Sequence, residues 1–124
     1  VKNVPEDVET HQLAIGAEHK MISLSEDDFT QSKRVVGEGM IPMITIDSLG
    51  INDIDLIKID VEGFEMEVLK GAEKTLAKVQ YLMIELNNAT KKYGSSNIEI
   101  EKHISSLGYK VLINHWPDKV FYRA

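Results

Sequence analysis

The most regular pattern of hydrophobic positions lies in the middle of the chain. A nearly continuous apolar run, rich in isoleucine, extends from Ile54 to Ile59 and is typical of a strand buried on both faces of a parallel sheet. A stripe of apolar residues at helical spacing follows it: Met66, Leu69, Ala72, Leu76 and Val79. A second apolar run then covers Tyr81–Ile84. We therefore predict a strand–helix–strand crossover with parallel, neighbouring strands.

Acidic residues close both strands of this crossover. Asp60 and Glu62 follow the first strand, and Glu85 ends the second. Because the carboxyl ends of parallel strands meet at the edge where open α/β sheets bind ligands, we expect Asp60 and Glu85 to lie close together. Each acid could accept a proton in a reaction or cap the backbone that follows it. We favour a functional role for Asp60 and a cap for Glu62, and Glu85 stays open between the two.

A magnesium ion held by two of these acids is chemically reasonable, since hard cations prefer oxygen ligands. It is the less favoured interpretation, and we predict no metal site. The four histidines, which lack metal-ligand spacing, are interpreted as surface or structural residues: His11, His19, His103 and His115.

Two residues interrupt the central pattern. Gly71 lies inside the predicted helix, where glycine costs about 1 kcal/mol relative to alanine, so we expect close packing of the helix on the sheet at this point. Lys58 lies inside the predicted buried strand. We favour a structural ion pair for it, for example with Glu85, over a head group that reaches water.

The first part of the chain predicts short strands and one long loop. His11–Ile15 and Met21–Leu24 are expected to form a hairpin. Ser25–Gly39 is polar and predicts a long loop, and Met43–Ile46 predicts another strand. Asp47 is expected to cap a short helical turn after that strand.

The last part of the chain has clearer boundaries. Ser96 and Glu99 have the spacing of a capping box, and Gly108 is a typical residue just past a helix end. Two apolar segments, Tyr109–Ile113 and Lys119–Tyr122, then predict an antiparallel hairpin.

Composition narrows the class of protein. The 124 residues are the size of one domain, and a formal net charge of −6 argues against a nucleic-acid or anionic-membrane partner. The chain has no cysteine, which excludes disulfides and thiolate zinc sites and fits a reducing compartment, so we predict a cytoplasmic protein. No apolar run approaches the ~20 residues of a membrane span.

The central motif also carries a resemblance. Lys58–Glu65, Val68–Ala72 and the pair Ile84–Glu85 resemble the signature of the FkbM family of S-adenosylmethionine-dependent methyltransferases. The likeness extends upstream to Leu13–Gly16 and Ile44–Leu49, and so covers most of the chain.

The resemblance implies an α/β, class I methyltransferase-like (Rossmann-like) sheet with helices. It also implies methyl transfer from S-adenosylmethionine, which we expect to go to a hydroxyl of a small metabolite or saccharide. It places three acids at the methyl-transfer edge, Asp60, Glu62 and Glu85, and three residues near the adenine of the cofactor, Ala14, Ile15 and Gly16.

The glycine-rich cofactor loop that opens such a domain does not occur before His11. Residues 1–124 therefore resemble the second half of the domain, and we expect this chain alone to be inactive. The strand that would pair with Leu56–Val61 is then missing, and an open apolar edge is a template for association. We predict either a homodimer through this edge or re-pairing of the N-terminal strands there. The alternative function is a non-catalytic α/β interaction module.

Overall fold

The computed structural model describes residues 3–26 and 33–124, and the strands of these residues form two sheets. The first sheet has the order β1-β3-β2 and contains β1 (Ala14–Ile15), β2 (Lys20–Glu26) and β3 (Lys33–Ile44). The second has the order β4-β5-β7-β6 and contains β4 (Leu56–Ile59), β5 (Tyr81–Glu85), β6 (Lys110–His115) and β7 (Asp118–Tyr122). The chain therefore has a mixed α/β fold.

Three short helices and two 3-10 turns connect these strands. The helices are α1 (Glu65–Lys70), α2 (Glu73–Leu76) and α3 (Asn97–Ser106), and the 3-10 turns cover Asp47–Leu49 and Ala89–Tyr93. In the described residues, no helix is long and apolar enough to cross a membrane.

The central crossover is confirmed. β4 and β5 are parallel and in continuous register, and Ile59 lies opposite Ile84. The single predicted helix is divided into α1 and α2, with Gly71 at the end of α1. Close packing at this glycine is also confirmed, since a Cβ atom there would lie 2.0 Å from the carbonyl oxygen of Gly16.

The core lies between the second sheet and the helices. Its fully buried side chains come from every layer of this part of the fold: Leu69, Leu76, Leu82, Ile84, Ile100, Ile104 and Phe121. Each such aliphatic or aromatic side chain contributes about 1.5–3 kcal/mol when it is buried. Tyr109 is also part of the core, and its buried hydroxyl group donates hydrogen bonds to the carbonyl oxygens of Leu76 and Val79, at 2.8 and 2.6 Å.

The N-terminal predictions are partly wrong. β1 does not form a hairpin with β2 but pairs in parallel with β3, and β2 pairs antiparallel with β3. Most of the predicted loop Ser25–Gly39 is strand, apart from residues 27–32, which lie outside the described residues. The register between β2 and β3 shifts after Ile22. The β3 residues just before Ile41 therefore lack the regular alternation of apolar and polar side chains, and their sequence resembles that of a loop.

The prediction that β4 is buried on both faces is wrong. Leu56 is 51% exposed and Lys58 is exposed, because β4 lies at the edge of its sheet and pairs only with β5 among the described strands. The described N-terminal strands pair with one another and not with β4. Re-pairing of those strands with β4 was therefore also a wrong prediction.

The C-terminal elements match their sequence signals. The Ser96 hydroxyl accepts the Glu99 N–H at 3.2 Å, and the Glu99 carboxylate accepts the Ser96 N–H at 2.9 Å, so the capping box is confirmed. Gly108 follows α3 with φ +94°, a conformation that favours glycine. β6 and β7 form the expected antiparallel hairpin, with a cis peptide bond between Trp116 and Pro117.

Asp47 caps a different helix from the one expected. The 3-10 turn that it starts has no side-chain cap. Instead its carboxylate accepts the N–H groups of Lys74 and Thr75, at 3.1 and 2.8 Å, and the Thr75 hydroxyl at 2.7 Å. Asp47 therefore caps α2 from a distant part of the chain, a contact that local spacing cannot predict.

Candidate functional site

The crossover brings the three predicted acids together. Asp60 directly follows β4, and Glu85 is the last residue of β5, so the parallel register places them side by side at the carboxyl edge. Carboxylate oxygens of Asp60, Glu62 and Glu85 lie within 4.8 Å of one another. The expected meeting of Asp60 and Glu85 is confirmed.

A tight turn directs the first two acids toward the third. Glu62 has φ +53° and Gly63 has φ +110°, and positive φ is uncommon for a residue with a side chain. A Cβ atom on Gly63 would lie 2.4 Å from the carbonyl oxygen of Ala89. Glycine is therefore required here both for its conformation and for the close packing of this turn against the loop that follows β5.

Glu85 has the most perturbed acidity of the three. A hydrogen bond with the Asp60 side chain, partial burial, and the negative charges of Asp60, Glu62 and Asp118 raise the pKa of Glu85 from an ordinary 4.5 to about 7. The Asn87 side-chain amide lies 3.5 Å from Glu85 Oε1, a long hydrogen bond that orients the carboxyl group. Glu85 therefore gains or loses its proton near neutral pH, beside the Asp60 carboxylate.

Neither Asp60 nor Glu62 caps the helix that follows. The N-terminus of α1 has no side-chain cap, so the favoured interpretation of Glu62 as a cap was wrong. Lys58 is exposed and has no ion-pair partner among the described residues, which makes the predicted ion pair wrong as well.

The three acids offer oxygen ligands of the kind magnesium prefers. A group of exposed or half-exposed acids does not by itself define a metal site. That the protein has no metal site therefore stays a prediction.

Sequence reasoning missed Glu65, the most buried acid near this edge. Its side chain is 1% exposed, and its Oε1 accepts the N–H of Gly63 at 3.1 Å. Burial raises the pKa of Glu65, while the backbone N–H groups of Glu65, Gly63 and Val61 act in the opposite direction and the charge of Asp60 raises it further. In the sequence it resembles an ordinary acid of a first helical turn, and no local signal predicts its burial.

An apolar groove lies next to Asp60. It has a volume of about 270 Å³ and is lined by Ile15, Ile46, Lys58, Ile59, Asp60, Val61 and Val68. Larger cavities exist, including one of about 470 Å³ beside Asp55 and Val79. That cavity lies at the amino end of β4, whereas open parallel sheets bind ligands at the carboxyl end, so the smaller groove is the better candidate.

The predicted adenine contacts differ in their access to this groove. Ile15 lines it together with Asp60. Gly16 is buried, and a Cβ atom there would lie 2.5 Å from the Met43 sulfur. Ala14 is half-buried and pairs with Met43 in the first sheet. The structure thus brings Ile15, but not Ala14, to the wall of the groove.

Tyr93 links the first sheet to the acidic edge, a contact the sequence did not predict. Its hydroxyl accepts the backbone N–H of Val35 in β3 at 2.9 Å. Its ring meets Phe64, directly after the Asp60–Gly63 turn, edge to face with centroids 4.9 Å apart. The sheet that carries Ile15 is thereby fixed against the elements that carry the acids.

Acids beside an apolar groove, at the carboxyl edge of parallel strands, are the arrangement of an α/β enzyme. A family model described as the methyltransferase FkbM domain matches residues 4–111. This is most of the chain, which therefore belongs to the FkbM methyltransferase family, and the resemblance seen in the sequence is confirmed. Membership indicates methyl transfer as the general activity. No curated protein and no solved structure matches the chain significantly.

Proposed function

We propose that this chain is part of an S-adenosylmethionine-dependent methyltransferase that methylates a hydroxyl group of a small metabolite or saccharide. The observation that carries the proposal is the close approach of Asp60 and Glu85, whose carboxylate oxygens lie within 4.8 Å of each other at the carboxyl edge of β4 and β5, in a chain of the FkbM family. A carboxyl group that loses its proton near neutral pH, as Glu85 does, is suited to accept the proton of a hydroxyl group.

The pair would act as the general base. A hydroxyl oxygen that forms a bond to a methyl carbon must lose its proton, and the Asp60–Glu85 pair can take up that proton once Glu85 is ionised. With a pKa of about 7, Glu85 is a stronger base than an ordinary carboxylate of pKa 4.5. A general base contributes typically 10²–10⁴-fold to a rate. Glu62 adds negative charge beside the pair and keeps its affinity for the proton high.

The groove fits part of the cofactor. When bound, S-adenosylmethionine supplies a methyl group on a positively charged sulfonium, and the three acids would favour that charge. Ile15 and Ile46 would contact the adenine, with Ala14 and Gly16 shaping the strand end behind them. The volume of about 270 Å³ is below the roughly 300–1,000 Å³ of a complete ligand pocket, so other residues must complete the site.

We propose that residues 1–124 are the second half of a class I, Rossmann-like domain, with the glycine-rich cofactor loop supplied upstream. The support is the order β4-β5-β7-β6, in which parallel β4 has no second partner among the strands of residues 3–26 and 33–124, so that a further parallel strand could pair there. We expect the chain alone to lack methyltransferase activity. A cytoplasmic location stays a prediction of the sequence.

Calorimetric titration with S-adenosylmethionine, on this chain and on a form extended upstream, tests the proposal. We expect measurable binding by the extended form and little or none by the 124-residue chain, together with methyl transfer to a hydroxyl acceptor by the extended form. Failure of both forms to bind would refute the proposal.

A substitution tests the role of Asp60 in the reaction. In the active extended form, with S-adenosylmethionine at a saturating concentration, Asp60→Ala is expected to lower kcat at least about tenfold. Glu67→Ala is the matched control, because Glu67 lies on α1 and pairs with Lys70 at 3.3 Å, away from the acids. Unchanged turnover in Asp60→Ala would remove Asp60 from the reaction.

A second candidate function is favoured by the open edge of β4. Its backbone groups are unpaired on one side among the described residues, and Leu56 is half exposed beside them. Such an edge can bind another strand. A non-catalytic module, or a homodimer, would use this edge, and light scattering of the native chain and of Leu56→Lys tests it.

A further inference from the structure

The carboxyl group of Glu65 is buried in the folded chain, and burial of a carboxyl group raises its free energy. Of the charged side chains in the described residues, only Glu65 is fully buried, and its Oε2 has no hydrogen-bond partner there. Other acids of α1 and α2, Glu67 and Glu73, are half-buried or exposed. Burial of a carboxyl group with one unpaired oxygen is unfavourable unless the group has a specific role.

The Glu65 side chain is hydrogen-bonded to the turn that carries the site. Its Oε1 accepts the N–H of Gly63, the residue with φ +110° that packs against Ala89. That turn has to hold Asp60 and Glu62 within 4.8 Å of Glu85, although the like charges repel one another. A bond to the backbone of the turn opposes this repulsion.

We propose that Glu65 is a positioning residue, which fixes the Asp60–Gly63 turn through the Gly63 N–H and so keeps the Asp60 carboxylate within 4.8 Å of the Glu85 carboxylate. Glu65 does not touch the acceptor or the cofactor in this role. The inference deepens the proposed function and rests on it for the meaning of the Asp60–Glu85 pair, but the contact itself can be tested without turnover.

The native 124-residue chain gives the first test. Carbon-13 NMR follows the carboxyl carbons of the glutamates as the pH changes, and nitrogen-15 NMR follows the Gly63 amide. The Gly63 amide shift is expected to titrate together with the Glu65 carboxyl carbon, at a pH above the ordinary range of glutamate. A Gly63 amide that does not respond to the titration of Glu65 would overturn the proposal, without any variant.

Three variants give the second test. Glu65→Gln keeps an oxygen that can accept the Gly63 N–H, so the midpoint of Glu85 should stay at about 7. Glu65→Ala removes that oxygen. We expect hydrogen exchange at the Gly63 amide to rise about tenfold or more, and the Glu85 midpoint to move toward 4.5. Glu67→Ala, on the same helix, should change neither quantity.

A merely structural role predicts a different result. Glu65→Ala would then lower the melting temperature but leave the Glu85 midpoint in the folded protein unchanged, and this outcome also overturns the proposal. If Glu65→Ala does not fold, the native titration decides. If these titrations behave as expected but the extended form transfers no methyl group, the positioning role of Glu65 stands and the proposed function fails. If the extended form transfers a methyl group but the titrations do not behave as expected, only the positioning role is rejected.

Discussion

At the scale of single residues, the site is defined by acids that share one small volume. The neighbouring Asp60 carboxylate, partial burial, and the negative charges of Glu62 and Asp118 raise the pKa of Glu85 to about 7. A carboxylic acid that is half ionised at neutral pH is rare on a protein surface and common in catalytic sites. The chemistry of this edge therefore depends on pH near neutrality.

The raised pKa of Glu85 predicts a pH dependence of stability. Because the folded state holds this proton more tightly than the unfolded state, the stabilising contribution is complete below about 4.5 and is lost as the pH rises through about 7. Urea unfolding of the native chain and of Glu85→Gln, at a series of pH values, measures it. The difference in free energy of unfolding, native minus variant, should fall between pH 4.5 and 7.

The comparison has an internal control. Asp118→Asn removes a charge at the same edge, but Asp118 is the weakest of the causes that raise the Glu85 pKa. That variant should keep most of the native pH dependence. If Glu85→Gln follows the native pH profile in parallel, the raised pKa of Glu85 is not a feature of the folded protein.

Residue by residue, the sequence predicts acids that lie at strand ends and misses those positioned by the fold. Asp60 and Glu85 are predictable because a parallel crossover brings the ends of its strands to one edge. Glu65 is not, since its burial arises in the folded chain and no local pattern indicates it. Tyr93 is missed because its partner Val35 is 58 positions away.

At the scale of elements, distant contacts replace local caps. α2 has four residues, and its N-terminus is stabilised by Asp47, from the turn that follows β3. Burial opposes ionisation of Asp47, but hydrogen bonds from Thr75 and Lys74 outweigh it and lower the pKa of the carboxyl group. The same turn is bonded to the end of α1, through the Asp47 N–H and the Gly71 carbonyl oxygen at 2.9 Å.

Removal of this cap should destabilise the chain. Asp47→Ala is expected to cost about 1 kcal/mol, the usual range for a lost helix cap, with up to about 2 kcal/mol because two N–H groups and a hydroxyl lose their acceptor. Asp47→Asn keeps one acceptor oxygen and should cost less. Thermal and urea unfolding above pH 5, where the native carboxylate is ionised, measure both variants.

A different order of stability would contradict the capping role. If Asp47→Ala were as stable as the native chain, the hydrogen bonds to Lys74 and Thr75 would contribute nothing in solution. Capping signals in the sequence are reliable where both partners are local, as in the capping box of Ser96 and Glu99. They fail for Asp47 because its partners lie 27 and 28 positions away.

At the scale of the whole molecule, the second sheet ends in two different edges. β6 is the outer strand on one side, and a register shift between Val111 and Ile113 interrupts its edge. β4 is the outer strand on the other side, with an unbroken register from Leu56 to Ile59 and an apolar groove beside it. A bulge protects an edge from pairing, whereas a regular apolar edge is open to it.

If the chain forms a homodimer, we therefore expect the two copies to pair through β4. Light scattering after size-exclusion chromatography should show a dimer fraction that rises with protein concentration. It should also rise with salt, because a net charge of −6 makes two copies repel one another at low ionic strength. Leu56→Lys should abolish the dimer, since it places a solvated charge on the pairing edge.

Leu112→Lys is the matched control for this experiment. Leu112 is 53% exposed against 51% for Leu56, it lies on the opposite edge, and the two substitutions change the net charge equally. Loss of the dimer in Leu112→Lys but not in Leu56→Lys would assign association to β6. A native chain that stays monomeric at all concentrations and salt conditions would refute the homodimer and leave the β4 edge to a different strand, which is where the proposed upstream half of the domain would pair.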